Sequence, residues 1–266
     1  MRVLGLDTST ATGGVALLDG ERLVGEYTLN VQRTTHAERL MPALERVMAD
    51  AGWDPAARVD GIAVAVGPGS FTGLRIGVVT AKALSYAWRV PVVGVSTLEA
   101  LAYQAGGAGG THRGRRPQDA AEPGAGQAGA DVLICPMLDA RHDHVYCAAY
   151  SPGADRPVLQ LPPELRALDE WLPMLEEWAP RRADKPWLVF AGDGADAYWD
   201  RLVLRFGSRA LRPPVGLRTL RSAAVAALGA LRLAAGEADD PARLVPTYLR
   251  QSEAERKWTA TNRSPS

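Results

Sequence analysis

Lysine is almost missing from this chain. Lys82, Lys185 and Lys257 are the lysines among 30 basic residues, and arginine supplies the rest. Many arginine codons are GC-rich, so we read this as codon bias and not as chemistry. A surplus of either charge is absent too: 30 acidic residues cancel the 30 basic ones. A domain that grips nucleic acid by itself is normally basic, which excludes a stand-alone tRNA or DNA binder. Cysteine is scarce. Cys135 and Cys147 form no CxxC pair and no zinc spacing, as expected of two buried thiols in a reducing cytosol. No apolar run reaches the ~18 residues of a membrane span. The N-terminus meets Asp7 after a short apolar run, unlike a signal peptide. A cytoplasmic protein with no membrane partner is expected. What is there is ordinary: 47% apolar and 23% charged residues over 266 positions, a composition that excludes collagen-like, disordered and coiled-coil classes. The length suits one large domain or two of about 130 residues.

Hydrophobic patterning orders the elements. Residues 2–7, 13–18 and 23–29 read as strands, the last two joined by Asp19-Gly20-Glu21, and Asp-Gly between apolar runs signals a hairpin. Thr35 and Glu38 form a capping box. The helix it opens carries Leu40, Met41, Leu44, Val47 and Met48 at helical spacing, with a bend expected at Pro42. The unalternating IAVAV at 62–66 suits a strand buried on both faces. A Gly-rich turn then leads into a helix over 71–88, followed by a strand at 92–95 and a helix at 98–103. Residues 105–130 are rich in Gly and Ala, with no large apolar side chain. Such a stretch cannot offset its ordering entropy and reads as a disordered insertion. Beyond it, strands are expected at 132–138, 145–150 and 187–191, and helices at 165–178, 196–206 and 219–235. The polar end, 251–266, reads as a flexible tail. The pattern is a mixed α/β sheet with helices, repeated in two halves.

Four motifs could carry chemistry. In LDTST, the carboxylate of Asp7 and the hydroxyls of Thr8, Ser9 and Thr10 could hold a metal-bound phosphate, or simply satisfy the turn. In GPGSFTGLRIG at 67–77, the strand–turn–helix order could cradle phosphate, but the Walker GK[ST] ending is absent. Gly69, Gly73, Gly77 and Ala81 instead recur every four residues. Each helix-interior Gly costs about 1 kcal/mol against Ala, so the smooth face implies close approach of another backbone. That backbone is either the chain's own sheet or a helix of a second chain, and spacing leaves both open. His36 stands alone, with Leu40 where a second helical ligand would sit, and reads as a surface or capping residue. His142 and His144, within DARHDH at 139–144, are expected to be solvent-exposed on a hairpin turn, without a third ligand. No metal and no cofactor is expected.

Taken together, LDTST, HAERLMPAL at 36–44, GPGSFTGLRIG at 67–77, AKAL at 81–84, GVSTLEALA at 94–102, DARHDHVY at 139–146, AGDG at 191–194 and PTYLR at 246–250 resemble the TsaB (YeaZ) family. The resemblance implies the actin/sugar-kinase/heat-shock ATPase fold, with two ribonuclease H-like subdomains. These are expected at 1–104 and 131–250, around the 105–130 insertion and before the 251–266 tail. It also implies a role in forming threonylcarbamoyladenosine next to the anticodon of tRNAs that read codons starting with A. There TsaD is the catalytic paralogue, with a His-x-x-x-His metal site. TsaB-like chains are its non-catalytic partners, joined by the ATPase TsaE. tRNA would be met only through the complex, and a homodimer is expected when the chain is alone.

The expected partner surface comprises His36, Leu40, Met41 and Leu44 on one helix. Around the second helix it takes in Gly69, Ser70, Phe71, Thr72, Gly73, Arg75, Gly77 and Ala81. Residues 7–10 would be a vestigial nucleotide turn. The competing reading is an active ATP-dependent kinase, or a peptidase-like enzyme, for which Asp139 would be the second phosphate-side carboxylate. Deleting 106–129 is expected to leave folding and assembly intact, because loop length costs only about 0.6 kcal/mol per doubling. Thermal unfolding of the deletion variant checks this, and a large loss of stability would show a packed segment.

Overall fold

The computed structural model describes residues 1–30, 36–53, 59–106, 132–178 and 186–250. Among them, ten strands form two five-stranded sheets built on one plan. In the first, β1 (Arg2–Asp7), β2 (Thr12–Asp19) and β3 (Arg22–Asn30) make an antiparallel meander. Strands β4 (Gly61–Gly67) and β5 (Val92–Ser96) then add in parallel, giving the order β3-β2-β1-β4-β5. The second sheet repeats this. Its meander is β6 (Val132–Asp139), β7 (His144–Ser151) and β8 (Val158–Ala167). Strands β9 (Trp187–Ala191) and β10 (Ala210–Leu211) run parallel to it, in the order β10-β9-β6-β7-β8.

Helices fill three layers. Helices α1 (His36–Asp50) and α2 (Phe71–Trp88) lie on the outer face of the first sheet, where Leu40, Leu44 and Val47 join Leu4, Leu6 and Val64 in one core. Helices α4 (Leu168–Trp178) and α6 (Trp199–Phe206) cover the outer face of the second, with Trp171 and Phe190 at its centre. Between the sheets lie α3 (Thr97–Gly106) and α7 (Ser222–Ala234). Their Leu98, Leu101, Val225 and Leu228 meet Val3 and Ala63 of one sheet and Ile134 and Ala148 of the other. The C-terminal stretch therefore crosses back onto the first sheet instead of staying in a second subdomain. Half-buried polar contacts fix the crossing. The Glu26 carboxylate on β3 accepts from Arg221 Nε at 2.8 Å and from the Ala223 amide at 3.0 Å. The Gln104 amide donates to the carbonyls of Leu217 and Thr219 at 2.9 and 2.8 Å.

Four expectations need correction. Helix α4 begins at Leu168, because residues 158–167 form β8, which the chain pattern concealed behind Pro162 and Pro163. An edge strand tolerates proline where the amide position points outward, and the register shift between Cys147 and Ala149 of β7 accommodates the neighbouring proline in a bulge. The helix expected at 196–206 starts earlier, at α5 (Asp193–Ala197), and is broken at Tyr198 before α6. The last helix starts at Ser222 rather than 219. Helix α3 runs on through Ala105 and Gly106, where the insertion was expected to begin. The rest of the insertion (107–130), residue 131, the 251–266 tail and Thr35 of the capping box lie outside the described residues.

Candidate functional site

The β1–β2 turn is tied to the start of α2. Thr8 Oγ1 donates to the Gly73 carbonyl at 2.7 Å, and the Ser70 amide donates to the Ser9 carbonyl at 2.6 Å. Ser70 Oγ accepts the Gly73 amide at 3.2 Å and so caps α2. Within the turn, Thr10 Oγ1 donates to the Thr12 carbonyl at 2.7 Å, and Asp7 Oδ1 accepts the Ser9 amide at 2.9 Å. Two of the hydroxyls that would cradle a phosphate, those of Thr8 and Thr10, are thus committed to backbone carbonyls of the chain itself. The smooth face of α2 is explained by the same contact. A Cβ at Gly73 would fall 2.0 Å from the Thr8 carbonyl oxygen, and one at Gly77 would fall 2.4 Å from Thr8 Oγ1. Gly69 abuts Ser9, and Ala81 is fully buried in the outer core. The backbone that approaches this glycine face is the protein's own.

His36 is not a surface residue. It is buried, and its Nε2 donates to the Thr10 carbonyl at 2.7 Å, joining α1 to the turn. Leu40 and Leu44 are buried as well, which removes them from any partner surface. Asp7 is fully buried, and Asp7 Oδ2, Ser9 Oγ and His36 Nδ1 have no hydrogen-bond partner among the described residues. Burial pushes the Asp7 carboxyl up to about 6, against the lowering effect of the neighbouring Ser9 and His36.

The second sheet's equivalent turn is a tight hairpin, with Arg141, His142 and Asp143 all at positive φ and the Ala140 amide donating to the His144 carbonyl at 2.9 Å. His142 is exposed; His144 is half-buried, and its Nδ1 donates to the His142 carbonyl at 2.7 Å. In AGDG, Gly192 sits where a Cβ would lie 2.0 Å from the Met137 carbonyl oxygen. Asp193 Oδ1 accepts the Asp139 amide at 3.0 Å, and burial raises its carboxyl. This glycine pair therefore serves packing against β6. Both thiols are buried, and burial raises them: Cys147 to about 12, and Cys135 well above its ordinary value. Neither is a ready nucleophile.

What faces outward is a ridge of which the sequence reading named Met41, Phe71, Thr72 and Arg75 but not Val79 or Tyr86. On the side of α2 away from the glycines, Val79 is 64% and Tyr86 88% exposed, next to Thr72 and Arg75. Met41 of α1 is 40% exposed, and Phe71 is half-buried. The signal was present: Val79 and Tyr86 stand two helical turns apart, opposite the Gly73–Gly77 face.

Across 258 residues, 97% of this chain and 98% of the relative, the sequence is 33% identical to the tRNA threonylcarbamoyladenosine biosynthesis protein TsaB of Bacillus subtilis. The chain belongs to the TsaB family. An uncharacterized Mycobacterium tuberculosis protein is 32% identical over 95% of this chain and 93% of its own length. The structure of YeaZ from Pseudomonas aeruginosa superposes with a TM-score of 0.68 at 28% identity, over 93% of this chain and 99% of that one. A family model described as TsaD, tRNA N6-adenosine threonylcarbamoyltransferase, matches residues 30–117. The architecture is two sheets, each a meander extended by parallel strands, and the YeaZ structure shares this fold. Among the described residues, no helix is long and apolar enough to cross a membrane.

Proposed function

We propose that this chain is a non-catalytic subunit that pairs with TsaD in forming threonylcarbamoyladenosine on tRNA. The observation that carries this reading is the inward commitment of two LDTST donors: the Thr8 and Thr10 hydroxyls hold backbone carbonyls rather than facing a phosphate. His36 supports it, since its Nε2 is bound to the Thr10 carbonyl and Leu40 occupies the place of a second ligand. The kinase alternative would need those same donors. The TsaE ATPase completes the assembly, and the neutral chain meets tRNA only within it.

The partner surface is the α2 ridge of Val79 and Tyr86, flanked by Thr72, Arg75 and Met41. An apolar ridge on an otherwise polar helix face is stabilised by burial against a similar helix. The same ridge pairs two copies when TsaD is absent, so the two assemblies compete. Val79→Asp with Tyr86→Asp is expected to weaken both by about thirtyfold or more, the effect of losing an interface hot spot. Sedimentation with and without TsaD reads this, with circular dichroism confirming the fold. Threonylcarbamoyl transfer should be absent for this chain alone and appear only with TsaD. Turnover by the chain alone would overturn the subunit reading, and unchanged pairing of the folded variant would place the interface elsewhere.

A further inference from the structure

The segment that follows α7 runs across the molecule. The Asp239 amide donates to the Val92 carbonyl at 2.8 Å, and Asp239 Oδ2 accepts the Gly94 amide at 2.7 Å, covering the free edge of β5. Lys82 Nζ then holds the Leu244 carbonyl at 3.2 Å, while the Leu244 side chain enters the outer core. The Thr247 amide donates to the Val66 carbonyl at 2.7 Å. Gly67, at φ 124°, admits it: a Cβ there would lie 2.5 Å from the Thr247 oxygen.

Next, the Tyr248 ring stacks on Phe71 with centroids 4.7 Å apart, and its hydroxyl accepts Arg75 Nε at 3.0 Å. The Arg75 guanidinium lies 3.9 Å over the Phe71 ring. Two residues later the chain has reached the other sheet, where Arg250 Nη1 donates to the Ala140 carbonyl at 2.9 Å. Covering the β5 edge requires none of these last contacts. They join the Gly-rich turn packed on the β1–β2 loop to the equivalent β6–β7 hairpin.

We propose that residues 239–250 form a clasp that holds the two sheets at one fixed angle, with Tyr248 and Arg250 as its catches. A chain clasped in this way cannot hinge its two halves around a ligand between the turns. This inference does not rest on the TsaD partnership.

The test is a distance between the two flanks of the full chain. Glu45→Cys on α1 and Asp200→Cys on α6 are exposed sites for spin labels, while Cys135 and Cys147 are buried and stay unlabelled. Dilution with unlabelled chain removes distances between copies. A single narrow distribution is expected with the clasp intact. With Tyr248→Ala and Arg250→Ala together it should become at least twofold broader, with circular dichroism unchanged. An equally narrow distribution in the folded double variant would overturn the clasp. If the double variant does not fold, Arg250→Ala alone removes only the contact to the second sheet; it should still broaden the distribution, and no change would overturn the proposal.

Discussion

Gly73→Ala is expected to destabilise the chain by about 3 kcal/mol, the upper end of ordinary overpacking costs. The new carbon would stand 2.0 Å from the Thr8 carbonyl oxygen, a backbone atom that cannot rotate away. Moving that backbone would also stretch the hydrogen bond from Thr8 Oγ1 to the Gly73 carbonyl. Alanine's intrinsic helical advantage of about 1 kcal/mol is too small to compensate. Urea unfolding should show a midpoint lowered by about 1 M, given the steep denaturant dependence of a chain this long. Val79→Ala, one and a half turns along the same helix but exposed, should change stability by less than about 0.5 kcal/mol. The contrast separates the two faces. A Gly73→Ala variant of normal stability that failed to associate would return the glycine face to the partner interface.

Asp7→Asn is expected to do the opposite and stabilise the isolated chain by about 3 kcal/mol at neutral pH. The Asp7 carboxyl is raised from 3.8 to about 6 by burial, a shift of roughly two units at about 1.4 kcal/mol each. The folded chain therefore binds the proton more tightly than the unfolded one. Its contribution is most favourable below pH 3.8 and is lost as pH rises through 6. Asparagine keeps the oxygen that accepts the Ser9 amide. It removes the buried charge and brings N–H donors to a pocket where, among the described residues, Ser9 Oγ and His36 Nδ1 stand unpartnered. The gain should accordingly shrink toward zero as unfolding is measured at lower pH, near 4. TsaD-dependent modification should fall little. Equal stability of wild type and variant at pH 7.5 would show that the carboxylate is satisfied in solution, and complete loss of modification in an intact complex would give Asp7 a chemical role.

The residues that were read correctly and those that were not differ in one respect. Strand and helix order, the Asp19–Glu21 hairpin and the buried strand at 62–66 follow from local periodicity, which a linear chain displays directly. β8 did not, because its adjacent prolines are tolerable only at an edge or a bulge, and both are properties of the sheet. His36 looked like a surface residue because the Thr10 carbonyl that binds it lies 26 positions away. Leu40 and Leu44 were visible as an apolar stripe, but a stripe does not say whether its cover is the chain's own sheet or a partner.

By itself, then, the sequence determined the element order of the first half, the twofold α/β plan and the family, because motif identity and hydrophobic period are local properties. Only the tertiary structure decided which side of α2 is free. The four-residue glycine repeat demanded a close neighbour, and that neighbour, the Thr8 backbone, comes from 65 residues earlier in the chain. The opposite side, with Val79 and Tyr86, was left exposed as a consequence. A helix has two faces, and the spacing of small residues marks the one that is approached closely without saying by what.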